Sequence, residues 1–232
     1  MKLSVSVRTV IIWLFASVLV ANAIGVVSRM VENLLGYEGT SKIVRLFHVG
    51  QEGNITTWFS SMLLSMSAVL LALIAAGKRA RREPYIKHWT GLAVIFIYLS
   101  LDEAAKIHEL TIDPLREALN LTGALYYAWV IVAIPLLLLL AVLYLHFLLD
   151  LPGMTRLLFV AAGAIYVFGG MGMDMVGGIV LTSDLERSLA LADLLIIIEE
   201  FLENVGVALF ITALVLYMKQ EPDMNELTLK LS

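Results

Sequence analysis

Eight carboxylates lie inside the apolar segments of this chain: Asp102, Glu103 and Glu109 in one, Asp174 in a second, and Asp193, Glu199, Glu200 and Glu203 in a third. Among them stand one lysine, Lys106, and one histidine, His108. Carboxylates and imidazole are ligands for Fe, Mn or Zn, and they are also the groups that carry protons in membranes. An ionised acid in hydrocarbon costs about 2.5 to 3.5 kcal/mol on the insertion scale. A chain that keeps this many acids is expected to hold protons, a divalent metal ion or both.

Those residues must be brought together by the elements that carry them. The chain has 232 residues, is 60% hydrophobic and 16% charged, and has a mean hydropathy of +0.89, which describes a single polytopic membrane domain. It contains no cysteine, which excludes disulfides, thiolate metal sites and a cysteine nucleophile. Six stretches can cross a core of about 30 Å: Thr9 to Val27, Ile55 to Gly77, Trp89 to Leu110, Ala124 to Leu149, Leu157 to Leu181 and Leu189 to Met218. None alternates with period two, so the expected fold is all-α, a six-transmembrane-helix bundle.

With the N-terminus in the cytoplasm, ten basic residues fall on the inner side and five on the outer, five of the ten lying between Lys78 and Lys87. That imbalance follows the positive-inside rule and places both termini in the cytoplasm of a bacterial inner membrane, spanned in multiple passes. The first segment also has signal-peptide features, with Lys2 and Arg8 ahead of an apolar run that ends at Ala21-Asn22-Ala23. Its apolar length favours a retained anchor over cleavage of residues 1–23. Residues 28–54 are expected as an outer interfacial helix or hairpin, and 219–232 as a short cytoplasmic tail.

Counting from the inner end of each helix puts Asp102 and Glu103 about 20 Å up, Glu203 about 24 Å and Asp174 about 27 Å, one level in the outer half. At 100° per residue Glu199, Glu203, Glu200, Asp193 and Asn204 share one face of the last helix. Asp102, Lys106 and Glu109 fall within about 60° of one another if their helix continues unbroken, and Lys106 can pair with Asp102 or Glu103. Gly163, Gly170 and Gly178 share the face of Asp174, where neighbouring backbones can approach. Ser60, Ser61, Ser65 and Ser67 suit close helix packing, and Met171, Met173 and Met175 point in different directions and suit the core.

The blocks FHVGQEGNITTWFSS, SLDEAAKIHE, GGMGMD and EEFLENVG, in that order, resemble a family of uncharacterised bacterial polytopic membrane proteins, some of whose members are loosely labelled multidrug transporter. The resemblance runs from about Phe47 to Tyr217 and is most specific in the SLDE-to-HE block. It implies Glu52, Asp102, Glu103, His108, Glu109, Glu199, Glu200 and Glu203 as family positions.

Three readings follow. In the first, Glu103, His108, Asp174, Glu199, Glu200 and Glu203 bind Fe, Mn or Zn in an outer-leaflet pocket, with Glu52, His48, Asp102, Lys106 and Glu109 as accessory positions. The chemistry would be oxidation of a lipid or quinone-like hydrophobic substrate with iron, or hydrolysis by metal-bound water with zinc. In the second, the same acids bind protons or cations in a small-molecule transporter. In the third, they form a hydrogen-bonded network in a structural or assembly subunit. Ser100 and His108 are about 12 Å apart along a helix, too far for a serine-protease pair. GMGMD misses the intramembrane aspartyl-protease spacing by one residue. There is no nucleotide or flavin motif and no nucleic-acid patch; the expected partners are membrane lipids.

Overall fold

The computed structural model of the chain describes residues 6–39, 41–50, 53–183 and 188–221, apart from the side chains at 37–39 and 188–190. Among these the regular elements are all helical: α1 (Val7–Gly39), α2 (Lys42–Arg45), α3 (Ile55–Arg81), α4 (Ile86–Ala105), α5 (Ile112–Leu119), α6 (Val130–Asp150), α7 (Gly153–Val167), α8 (Met173–Thr182) and α9 (Ser188–Gln220). Short 3-10 turns occupy His108–Thr111 and Gly123–Leu125, and a π-helical turn, Phe168–Gly172, joins α7 to α8. Four helices are long and apolar enough to cross a membrane: Val7–Gly36, Ile55–Arg81, Val130–Asp150 and Gly153–Thr182. On α6, Leu136, Leu138, Val142 and Leu143 are at least 60% exposed, an apolar surface that belongs in lipid rather than water.

Three helix boundaries differ from the sequence expectation, each for a local reason. The first helix does not stop at Val27; it continues through the stretch expected as loop to Gly39, with a non-helical residue at Gly36. Ser28, Arg29, Glu32 and Asn33 fall within an arc of about 140°, so the helix changes from apolar to amphipathic instead of ending. The third apolar segment ends at Ala105, not Leu110, because Lys106 is left-handed (φ 54°) and the Asp102 side chain captures the chain beyond it. The fourth begins at Val130 rather than Ala124, after the 3-10 turn at Gly123–Leu125.

Helix α9 is the hub. It packs against α1, α3, α7 and α8, and its 33 residues span about 50 Å. α3 and α4 form a tight hairpin closed by the left-handed residues Arg82 and Tyr85. The Ser61 and Ser65 hydroxyls both meet Ser100 Oγ, at 2.9 and 2.8 Å, so the small serines zip the hairpin as anticipated. Asn54 caps α3, its side chain accepting the Thr57 N–H at 3.1 Å.

The two halves of the bundle differ in kind. At the end bearing the α3–α4 turn, Trp89 is enclosed by Phe147, Phe159 and Tyr217. Lys78 and Arg81 there pair with Glu83 and Glu221, tying the end of α3 to the end of α9. A second core joins Leu14 and Val18 of α1 to Leu63, Leu64, Ala208 and Ile211. Helix α6 stands apart at backbone level and reaches the bundle through large side chains: Phe147 meets Trp89 edge-on, and the Tyr144 hydroxyl donates to His88 O at 3.1 Å.

Candidate functional site

At the opposite end, the break after Ala105 builds a defined histidine. Asp102, in the last turn of α4, accepts the His108 backbone N–H on Oδ1 at 2.7 Å, and Oδ2 lies 2.9 Å from His108 Nδ1. The carboxylate makes Nδ1 the ring nitrogen that donates to Asp102, leaving Nε2 as the nitrogen that this pair does not engage. A short polar side chain has outcompeted the helical backbone for the next turn. Five residues of continuous helix would have pointed Glu103 and His108 in divergent directions; the break removes that constraint. It also moves Lys106 and Glu109 off the predicted α4 face. Lys106 Nζ lies 3.5 Å from Glu109 Oε2.

Asp174, at the start of α8, accepts the Trp129 indole N–H at 2.7 Å, and the Trp129 ring lies 5.0 Å from that of His108. Beside it the π turn presents Gly169 and Gly170 to α9. A Cβ on Gly170 would stand 2.5 Å from Glu203 Oε1, and one on Gly169 would stand 3.0 Å from Glu203 N and 3.1 Å from Glu203 Cγ. The glycines therefore form a saddle for Glu203. π turns are enriched at functional sites, and this one falls at the sequence-predicted level. Gly178 meets the chain at Gly123 and Tyr126, while Gly163 meets nothing within 4 Å, contrary to the expected close approach.

The acids form one electrostatic group. Glu203 interacts with Glu103, Glu199, Glu200 and Asp174, and Glu199 with Asp174, Glu200, Glu103 and Glu109. His108 interacts with Asp102, Glu109 and Asp174. Tyr166 faces Glu203, Glu103, Asp102 and Glu200, and Tyr127 faces Asp174 and Glu199. Glu103, Asp174, Glu199, Glu200 and Glu203 are all half-buried. Helices α4, α8 and α9 thus bring Glu103, Asp102, His108, Asp174, Glu199, Glu200 and Glu203 to one neighbourhood. Among the described residues no three His, Asp or Glu side chains converge closely enough to hold a metal ion in their present rotamers. Glu52 lies outside the described residues.

Two assigned residues belong elsewhere. Asp193, counted on the acidic face, pairs with Arg29 and accepts Asn33 Nδ2 at 2.9 Å. His48 lies 3.8 Å from Glu32 and forms a separate polar knot with Arg29, which also donates to Val49 O at 2.7 Å. Arg29, itself within electrostatic reach of Glu200, falls in the stretch expected as a loop, and Trp129 falls inside the expected fourth span, where its indole reads as apolar content rather than as a hydrogen-bond donor. Hydropathy signals neither; the polar arc at positions 28–33 would have signalled the first.

His48 is 6% exposed, and burial holds its imidazole below the usual value, with Glu32 and Asp193 opposing and Arg29 adding to the effect. The folded state then binds fewer protons than the unfolded chain. Its contribution to stability is complete above about pH 6.5 and declines as the pH falls below that value. His48→Gln is expected to flatten the loss of Tm between about pH 7 and pH 5 relative to wild type, measured by thermal unfolding in detergent. Parallel wild-type and variant curves would show that another group controls that limb.

Residues 11–218 match the family model described as "Domain of unknown function (DUF8692)". No curated protein and no solved structure matches the chain.

Proposed function

The chain belongs to the DUF8692 family, and from its own geometry we propose that it is a six-span inner-membrane protein whose carboxylate cluster binds a divalent metal ion on the outer-leaflet side. In this arrangement both termini are cytoplasmic, α4 and α9 supply the two further spans, and Lys78 and Arg81 mark the inner face. Burial of Leu14 and Val18 in the bundle supports retention of α1 as an anchor, since cleavage near Ala23 would open that core.

The observation that carries the metal reading is the Asp102–His108 pair. Metal-bound histidines characteristically donate their second ring nitrogen to a carboxylate, which fixes the tautomer and raises ligand basicity. His108 is held in this way by Asp102, with Asp174 and Glu109 within electrostatic reach of the ring. Glu103, Glu199, Glu200 and Glu203 supply mutually repelling carboxylates whose flexible side chains can turn to a shared cation. Such an oxygen and nitrogen set suits Fe, Mn or Zn. When bound, iron would supply oxidation and zinc hydrolysis of a hydrophobic substrate. Here the chain's own residues orient and charge the pocket. The aromatic core around Trp89 closes the route to the inner face, which supports access from one side.

The test is elemental analysis of detergent-purified protein loaded with Fe, Mn or Zn. One ion per chain is expected, and Asp102→Asn should weaken it about 10–100-fold while keeping the fold, because the histidine loses its orienting partner. Absence of a stoichiometric ion after loading would sink the reading. The π turn supports a second, a cation- or proton-coupled carrier, because interrupted helices at mid-membrane are a transporter device. That reading predicts cation- or proton-dependent flux in liposomes without a retained metal. Failure of both assays leaves a structural subunit.

A further inference from the structure

Directly inward of the carboxylates, α4, α6, α7 and α9 line an apolar cavity of about 390 Å³ that opens between α6 and α7, where its wall residues Leu145 and Val160 are exposed. Along α6 it reaches from Leu137 to Leu148, about 16 Å at the helical rise. Its walls include Phe96, Phe159 and Phe210, and Phe147 closes the inner end. At the other end stands Tyr166, the lining residue that faces Glu203 and Glu103. The cavity therefore begins where the acid cluster stops. It exists because α6 stands off from the bundle and because Gly163 contributes no side chain, leaving open space where a Cβ would be.

The occupant must be hydrocarbon. Water needs two to four polar partners, and this lining presents the Tyr144 hydroxyl, already donated to His88 O, and the Tyr166 hydroxyl at the acid end. An apolar cavity of about 150 Å³ takes one benzene, so by the same scale this one takes about fifteen carbons, the content of one acyl chain. A ring with carbonyl groups lodged at the phenylalanine level would leave its acceptors unmet. The cavity runs from the level of Tyr166 down to Phe147 near the inner end of α6, so a chain whose head lies against the carboxylates extends from the cluster past the midplane toward the inner face.

We propose that this cavity binds a single acyl chain of a lipid whose polar head lies against the carboxylate cluster, so that the substrate class of the site is an acyl lipid. The assignment of a substrate rests on the metal-site reading above; the chain-binding cavity can be tested separately.

The probe is a palmitoyl lysophosphatidylglycerol carrying a photoactivatable diazirine near the chain terminus, added to the full-length protein in phosphatidylethanolamine and phosphatidylglycerol nanodiscs. Photolysis followed by peptide mass spectrometry is expected to label Phe96, Phe159 or Phe210 in excess of the lipid-facing controls Leu138 and Val142. Gly163→Leu, placed in open space, should reduce wall labelling at least about tenfold while leaving bound metal at the wild-type level. Glu203→Gln should lose metal and keep wall labelling. Should Gly163→Leu fail to give a monodisperse protein, Ala141→Leu fills the same cavity from α6. Equal wall labelling in the filled and wild-type proteins would overturn the proposal, as would labelling confined to the controls. Preferential wall labelling by a diazirine polyprenyl probe would overturn it in favour of an isoprenoid. In the wild-type protein, metal bound without preferential wall labelling would sink the cavity assignment alone, and preferential wall labelling without bound metal would sink the metal site alone.

Discussion

Replacement of Glu203 by Gln is expected to abolish stoichiometric metal binding, with affinity falling by more than about 100-fold, the upper range seen for loss of an orienting partner alone. Glu203 sits between α8 and α9 and interacts with four other acids, so its charge is the one most shared by a cation in the cluster. The amide has the same shape, and the Gly169–Gly170 saddle accepts it without new overlap. The fold should therefore persist, and elemental analysis alongside thermal unfolding checks both halves of the expectation. The alternative makes a prediction of opposite sign. If protons rather than a metal occupy the cluster, removing one acid relieves like-charge repulsion, and Tm should rise with no metal lost. A stabilised variant of a metal-free wild type would retire the metal centre.

Gly206→Leu is expected to leave no monodisperse folded protein, although Gly163→Leu, less than two turns before Tyr166 on the facing helix, is tolerated. A Cβ at Gly206 would lie 2.9 Å from Tyr166 N and Cβ and 3.0 Å from Tyr166 Cα. Those are backbone and near-backbone atoms that cannot swing away, so α7 would have to separate from α9. Gly206→Ala already sets about 1–3 kcal/mol of overpacking against the roughly 1 kcal/mol gained in helix propensity. Leucine adds three more carbons in the same place, against a total stability of about 5–15 kcal/mol. Fluorescence-detected size exclusion of the two leucine variants separates them directly. A well-behaved Gly206→Leu protein with wild-type Tm would show that α7 and α9 do not meet there as described.

The apolar segments were legible because hydropathy reports length and composition, and the all-helical architecture with its serine-lined α3–α4 contact follows from them. The common level of Asp102, Glu103, Asp174 and Glu203 was legible too, because helical rise converts residue counts into depth. Hydropathy could not see that α1 continues past Val27, since a helix that turns amphipathic loses its average apolarity without losing its hydrogen bonds. Nor could a periodic count see the break after Ala105, because no glycine or proline marks it. There the cause is a tertiary-like capture, Asp102 taking both the His108 N–H and the ring, and that is a property of geometry. The same break brings Lys106 within 3.5 Å of Glu109, a contact three residues on that falls outside the helix. Gly169 and Gly170 were visible as glycines, but their service to Glu203 depends on how α9 leans on the π turn.

Helix α9 divides its labour along one rod. Up to Glu203 it presents Asp193, Glu199 and Glu200 to polar partners; beyond, Ala208, Ile211, Ala213 and Leu214 are almost wholly enclosed by other helices. The frontier is Asn204, which accepts the Ser60 hydroxyl at 3.1 Å and donates to Glu200 O at 2.9 Å. Variation on one side of that asparagine can retune what the pocket accepts while the other side goes on specifying the same scaffold. A single uninterrupted helix thus carries both the acid cluster and the scaffold, with Asn204 as the joint between them.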